Sequence, residues 1–212
     1  MTGRPPILPL GDSAFLLRFG PGGEDAARAA AARLRGAAGR GLREVVVAWE
    51  TVAVHFDPVV TTAEELARFG PTGEARGPVP PVPEPVLHTV PVRYDGEDLE
   101  WVAASCGLTR AQVVELHAAG EYRVQAVGFV PGFAYLGELD ERLRLPRRDA
   151  PRPRVPAGAV AIAGAQTAVY PFATPGGWHL IGRTELTLFD PRRDPAALLA
   201  VGARVRFVPA RP

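Results

Sequence analysis

The chain has 212 residues, 47% of them hydrophobic and 22% charged, which is the composition of a folded protein with one large or two small cores. A formal net charge of +1 supplies no field for nucleic acid or an anionic membrane surface, and the lone Cys106 excludes an internal disulfide or a cysteine-rich zinc site. Every basic residue apart from histidine is arginine, so neither a Schiff-base lysine nor a phosphate-loop lysine is available. Residues 1–10 lack the apolar stretch of a signal peptide and no apolar run reaches bilayer length, so a soluble, cytoplasmic protein is expected.

Glycine and proline number 23 each, a density of breakers that favours short helices among many strands and turns, hence an α+β or mostly β fold class. In chain order, EDAARAAAARLRGAAG from Glu24 places Ala27, Ala30, Ala31 and Leu34 at helical spacing, with Gly39 as a stop. The period then changes: Val45, Val46 and Val47, followed by the alternation Val52, Val54, Phe56, read as two strands of a hairpin turning near Trp49. Thr62 with Glu65 fits a capping box that opens a short helix packed through Leu66 and Phe69 and ended by Gly70 and Pro71.

The stretch PTGEARGPVPPVPEP over residues 71–85 has little to bury and reads as an extended linker. It suggests a domain over residues 1–75, a linker over 76–85 and a second domain over 86–212. There, VLHTVPVRY reads as a strand and two short helices follow, the second capped by Thr109 with Gln112. YRVQAVGF, VAIAGAQTAVY, WHLIG, ELTLFD and ARVRFV are then short strand candidates between glycines and prolines, a pattern that suits a closed or nearly closed β-barrel.

Autonomous catalysis has little support. Ser13 and Ser105 are outside any G-x-S-x-G elbow, and His55, His88, His117 and His179 form no HExxH or close pair, so no catalytic residue and no metal site is expected. Gly128, Pro131 and Gly132 bracket Phe129 and Phe133, and Pro175, Gly176 and Gly177 lead into Trp178. Such turns fix aromatic rings in place, either to line a site or to fill the corners of a barrel.

The ordered motifs GFxPGFxYL, VPAG, AIAG, QT, YP, PGGW, IGRT and FDP, preceded by LPLGDSAFLLRFG, HFDP and PVRYDGEDLE, resemble the B-subunit family of bacterial 5-oxoprolinases. That family also takes in the kinase-inhibitor protein of sporulating bacteria and the first member of the allophanate-hydrolase-like pair. The likeness implies a small α/β N-terminal domain followed by a cyclophilin-like β-barrel domain. It further implies partnership with a C-type subunit and with an A-type subunit resembling the LamB/YcsF proteins, in a complex that opens 5-oxo-L-proline to L-glutamate with ATP, which the complex as a whole would bind. Ala134, Ala165 and Ala168 depart from the residues usual in relatives, which bears on loop geometry.

Within that frame Phe129, Phe133, Tyr135 and Trp178 are candidate walls for a flat five-membered ring, Gln166 and Thr167 offer an amide and a hydroxyl to a lactam, and Tyr170 beside them is a further candidate ligand-binding residue. Arg152, Arg154 and Arg183 could fork onto a carboxylate or phosphate, Arg154 and Arg183 being favoured by their place beside motif cores, although solvated surface arginines are common in such loops. His117 shares a helix face with Val113 and is either a ligand-binding or a core histidine. Besides a component of a lactam hydrolase, a regulatory inhibitor of a sensor kinase and a proline isomerase are the alternatives, the last by fold analogy alone.

Overall fold

The computed structural model describes residues 5–37, 39–70 and 85–210. The stretch read as a linker lies outside these residues except for Pro85. The chain divides into two compact units, Met1–Glu84 and Pro85–Pro212.

The first unit runs β1 (Ile7–Pro9), β2 (Ala14–Arg18), α1 (Glu24–Ala37), β3 (Leu42–Ala48), β4 (Thr51–Phe56) and α2 (Ala63–Ala67), with its strands antiparallel in the order β1-β2-β4-β3. Ala27, Ala30, Ala31 and Leu34 of α1 are wholly buried, as the spacing predicts, and the helix packs on β3 and β4. The β3–β4 hairpin turns at Trp49, whose φ of 50° supplies the positive dihedral that a tight hairpin needs. The Thr62–Glu65 capping box forms in both directions at α2.

The second unit runs β5 (Leu87–Val92), α3 (Leu99–Ser105), α4 (Arg110–Ala119), β6 (Glu121–Val127), β7 (Ala134–Gly137), a 3₁₀ turn (Glu141–Leu143), β8 (Arg152–Val155), β9 (Ala159–Ala163), β10 (Gln166–Val169), β11 (Thr174–Gly176), β12 (His179–Arg183) and β13 (Arg204–Pro209). Its main strands follow the order β5-β13-β6-β7-β10-β9-β12, antiparallel except for the parallel β5–β13 pair. Arg93, just past β5, exchanges two 2.8 Å backbone hydrogen bonds with Arg183 of β12, so the end of this order returns to its beginning. β8 and β11 form a separate pair.

Period-two alternation divides the buried residues between two layers. Val124, Leu136, Val160, Ile162, Val169, Ile181, Val205 and Phe207 belong to the main core, together with Leu99, Val102 and Val113 of the two helices. The intervening residues of the same strands, Ala159, Ala161, Ala163 and Ala168, belong to a second layer with Phe133, Tyr170 and Trp178. Alanine has almost no volume above its Cβ, so this face leaves space that large rings fill. The sequence AVAIAGAQTAV thus encodes a packed side and a side prepared for aromatics.

Thr109 and Gln112 make the expected capping box at α4. The expected strand at ELTLFD does not form. That segment carries only an isolated bridge, Phe189 to Ala197, because its carbonyls and amides meet a loop (Leu198 N–H to Leu188 C=O, 2.8 Å) rather than a strand. Conversely β7, β8 and β11 are short and broken by proline or glycine, and carry no periodicity by which to be found. Among the described residues no helix is long and apolar enough to cross a membrane.

Candidate functional site

The second layer opens into a cavity of about 190 Å³ walled by Phe129, Phe133, Tyr135, Tyr170 and Trp178, with Arg147 and Pro151 on one side and Pro175, Gly176 and Gly177 on another. Phe133 is its hub. The ring meets Phe129, Tyr135, Tyr170 and Trp178 edge-to-face at centroid distances of 5.5, 4.9, 5.3 and 5.8 Å, the arrangement that aromatic quadrupoles favour. Phe133, Tyr170 and Trp178 are buried, while Phe129 is 61% exposed at the rim. Phe129 has a φ of 72°, a left-handed conformation unusual for a bulky side chain and one that tends to persist at functional loops. Gly176 is required because a Cβ there would run into the Tyr170 hydroxyl.

Among the charged groups acting on Tyr170 in the cavity, Arg147 has the largest effect, ahead of Arg152. Burial pushes the Tyr170 phenol up, and the Arg147 guanidinium is close enough to offset part of that shift. Arg147 is the charged group of the lining, and sequence reasoning passed over it in favour of Arg152, Arg154 and Arg183. Nothing local separates it from the other arginines of PRRDAPRPR.

Arg152 serves the frame. Its Nη2 lies 2.7 Å from Oδ1 of the buried Asp98 and its Nε 2.6 Å from Glu97, while Arg148 approaches the same Asp98 oxygen at 3.1 Å and the Leu180 amide donates to Oδ2 at 2.7 Å. Asp98 thus pins the segment carrying Arg147 and Pro151 to the start of α3 and to β12, which holds one wall of the cavity in place. Arg154 is exposed on β8.

The remaining sequence candidates are elsewhere. His117 is wholly buried in the main core, ringed by Phe207, Tyr122 and Tyr94. Its hydrogen bonds form a chain with one self-consistent direction. Thr167 Oγ1 donates its only proton to the Ala161 carbonyl (3.1 Å), so it accepts from His117 Nε2 (2.8 Å), and Nδ1 then accepts from the Tyr94 hydroxyl (2.8 Å). Burial keeps the imidazole neutral, with its pKa down to about 3. His117 has no hydrogen-bonding capacity left over for a ligand in this state, and Thr167, wholly buried, has already committed its one proton. Gln166, half-buried beside the β9–β10 turn, pairs in register with Gly137 and is not part of the cavity lining.

Arg183 lies between two other depressions. One, of about 900 Å³, is lined by Arg93, Arg183, Glu185 and Thr187 among others, and the second, of about 380 Å³, adds Asp95 and Glu97. Asp95 ties up both arginines, at 2.9 Å from Arg183 and 3.7 Å from Arg93. The two guanidiniums share the one Asp95 carboxylate, and with no lysine and no phosphate loop in the sequence these residues cannot form a phosphate-loop cradle for ATP. Among the described residues no His, Cys, Asp and Glu cluster could hold a metal ion.

Comparison with known proteins places the chain. The model of the "Carboxyltransferase domain, subdomain C and D" family matches residues 5–199. The B subunit of the 5-oxoprolinase of Bacillus subtilis (strain 168) is 38% identical over 98% of this chain and 94% of its own length, and that of Escherichia coli O157:H7 is 58% identical over 70% of this chain and 67% of its own. The solved structure of TTHA0988 superposes with a TM-score of 0.81 at 43% identity over 94% of this chain, which spans 40% of that longer chain. The chain therefore belongs to the carboxyltransferase-domain subdomain C and D family, among the 5-oxoprolinase B-subunit proteins.

Proposed function

We propose that this chain is the B subunit of an ATP-dependent 5-oxoprolinase, which opens 5-oxo-L-proline to L-glutamate and works only with a C-type subunit and a LamB/YcsF-type subunit. The observation that carries this reading is the aromatic cavity. At about 190 Å³ it is smaller than the roughly 300–1,000 Å³ that drug-sized ligands occupy, which suits a single five-membered ring and excludes a nucleotide. Its edge-to-face rings are held by core packing, so they offer flat apolar walls and keep water from a lactam without being ordered at the moment of binding. ATP would supply the driving force by activating the lactam oxygen, and this chain contributes binding and orientation.

Dependence on partners is supported by the chemistry the chain lacks and by the kinship with proteins named as subunits. The same fold built into 40% of a longer chain in TTHA0988 points the same way. Phe129, exposed at the cavity rim on a left-handed turn, is the aromatic best placed to meet the C-type subunit, since Phe133 and Trp178 are already covered by this chain. We also read the second unit as a cyclophilin-like barrel, supported by the Arg93–Arg183 bridge that joins the two ends of its strand order.

The test is reconstitution. Glutamate formation from 5-oxoproline and ATP should be absent with the purified chain, absent with the two partners, and present when all three are mixed. Turnover by the chain alone at a rate that partners leave unchanged would refute the proposal.

A further inference from the structure

Building on the reading that the aromatic cavity holds the lactam ring, we propose that Arg147 determines its specificity by binding the ring's carboxylate, so that the site selects small, flat cyclic acids over uncharged rings of the same shape. Three arginines lie within residues 147–152, and two of them are neutralised: Arg148 and Arg152 both close on Asp98, and Arg152 on Glu97 as well. Arg147 makes no ion pair among the described residues and lines the cavity instead. No acidic side chain shares that lining. The other two depressions differ on this point, since Glu185 accompanies Arg93 and Arg183 in one, and Asp95 and Glu97 accompany Arg183 in the other.

An uncompensated guanidinium over apolar rings is a recognition element for a carboxylate. Charge attraction is stronger beside low-dielectric walls than in open water, and the planar fork of arginine matches the two carboxylate oxygens. The position of Arg147 is not left to a free loop, because the Asp98 ion pairs hold the neighbouring Arg148 and Arg152. Its charge acts on the Tyr170 phenol more strongly than that of Arg152, in keeping with its place in the cavity lining. Arg147 itself is exposed, so the expected gain is roughly tenfold in affinity, at the low end for a charge-assisted contact.

The experiment is calorimetric titration of 5-oxo-L-proline and of 2-pyrrolidinone, the same ring without its carboxylate, into the full-length chain and into the reconstituted complex. Wild type should prefer the acid about tenfold. Arg147→Ala should remove that preference while leaving pyrrolidinone affinity unchanged, Arg147→Lys should restore part of it, and in the complex the loss should fall on KM rather than kcat. If the preference is the same in wild type and Arg147→Ala while the complex still turns over, Arg147 does not read the carboxylate and the oxoprolinase reading survives. If Arg147→Ala levels the preference in a complex that never opens the lactam, the site stands and the oxoprolinase reading fails. Failure of both rings to bind chain and complex alike would overturn the inference.

Discussion

His117 should make this protein acid-sensitive from about pH 6.5 downward, a loss that begins above the range in which its carboxylates titrate. In the folded chain burial holds the imidazole neutral with a pKa of about 3, against an ordinary value of 6.5. Between those values the unfolded chain takes up a proton that the folded chain refuses, so the stability due to neutral His117 is complete above pH 6.5 and is lost as the pH falls toward 3. From neutral pH to pH 5 the loss is roughly 2 kcal/mol, before ordinary carboxylates begin to titrate. The comparison variant is His117→Gln, whose amide still donates to Thr167 and accepts from Tyr94 but does not titrate in this range. It should be less stable at pH 7, having lost the ring packed 4.5 Å from Phe207, yet decline less between pH 7 and pH 5 by roughly those 2 kcal/mol. Urea midpoints at the two pH values, with unchanged slopes, provide the measurement. Parallel declines in wild type and variant would refute the assignment of a buried, neutral, hydrogen-bonded His117.

Two further substitutions test the frame of the cavity. Gly176→Ala pushes a methyl group into the Tyr170 hydroxyl and should cost about 1–3 kcal/mol by overpacking while abolishing ring binding in the same titration; full retention of both would mean the cavity wall is softer than its packing implies. Arg152→Leu should cost about 2 kcal/mol, less than the roughly 3–5 of a buried pair broken outright, because Arg148 and the Leu180 amide still hold Asp98; urea midpoints again decide, and an unchanged midpoint would show the Asp98 cluster to be dispensable.

Local features were the ones the sequence disclosed. The capping boxes at Thr62 and Thr109, the buried stripe of α1 and the β3–β4 hairpin depend on residues a few positions apart, and each forms where the pattern places it. Phe129, Phe133 and Trp178 were found through the glycines and prolines around them, Tyr135 and Tyr170 only through the family likeness, and all five converge on one cavity. What could not be read depends on distant partners. His117 is fixed by Tyr94 and Thr167, 23 and 50 residues away, and no local rule distinguishes a core histidine from one in a site. Arg147, Arg152 and Arg154 look alike in PRRDAPRPR, and only Asp98, 54 residues before Arg152, shows which of them is a structural tie. ELTLFD has the composition of a strand but meets a loop where a strand would need an edge to pair with.

The claim that the aromatic cavity holds the substrate is tested most directly by the three tryptophan indoles, which report from different places: Trp178 lines the cavity, Trp101 stacks on His179 at 4.5 Å, and Trp49 turns the β3–β4 hairpin. With the chain indole-labelled with nitrogen-15 and assembled with its partner subunits, adding 5-oxo-L-proline without ATP should shift the Trp178 indole N–H resonance and leave those of Trp101 and Trp49 in place. A complex that turns over 5-oxoproline while its Trp178 resonance stays unmoved at saturating substrate would contradict the account.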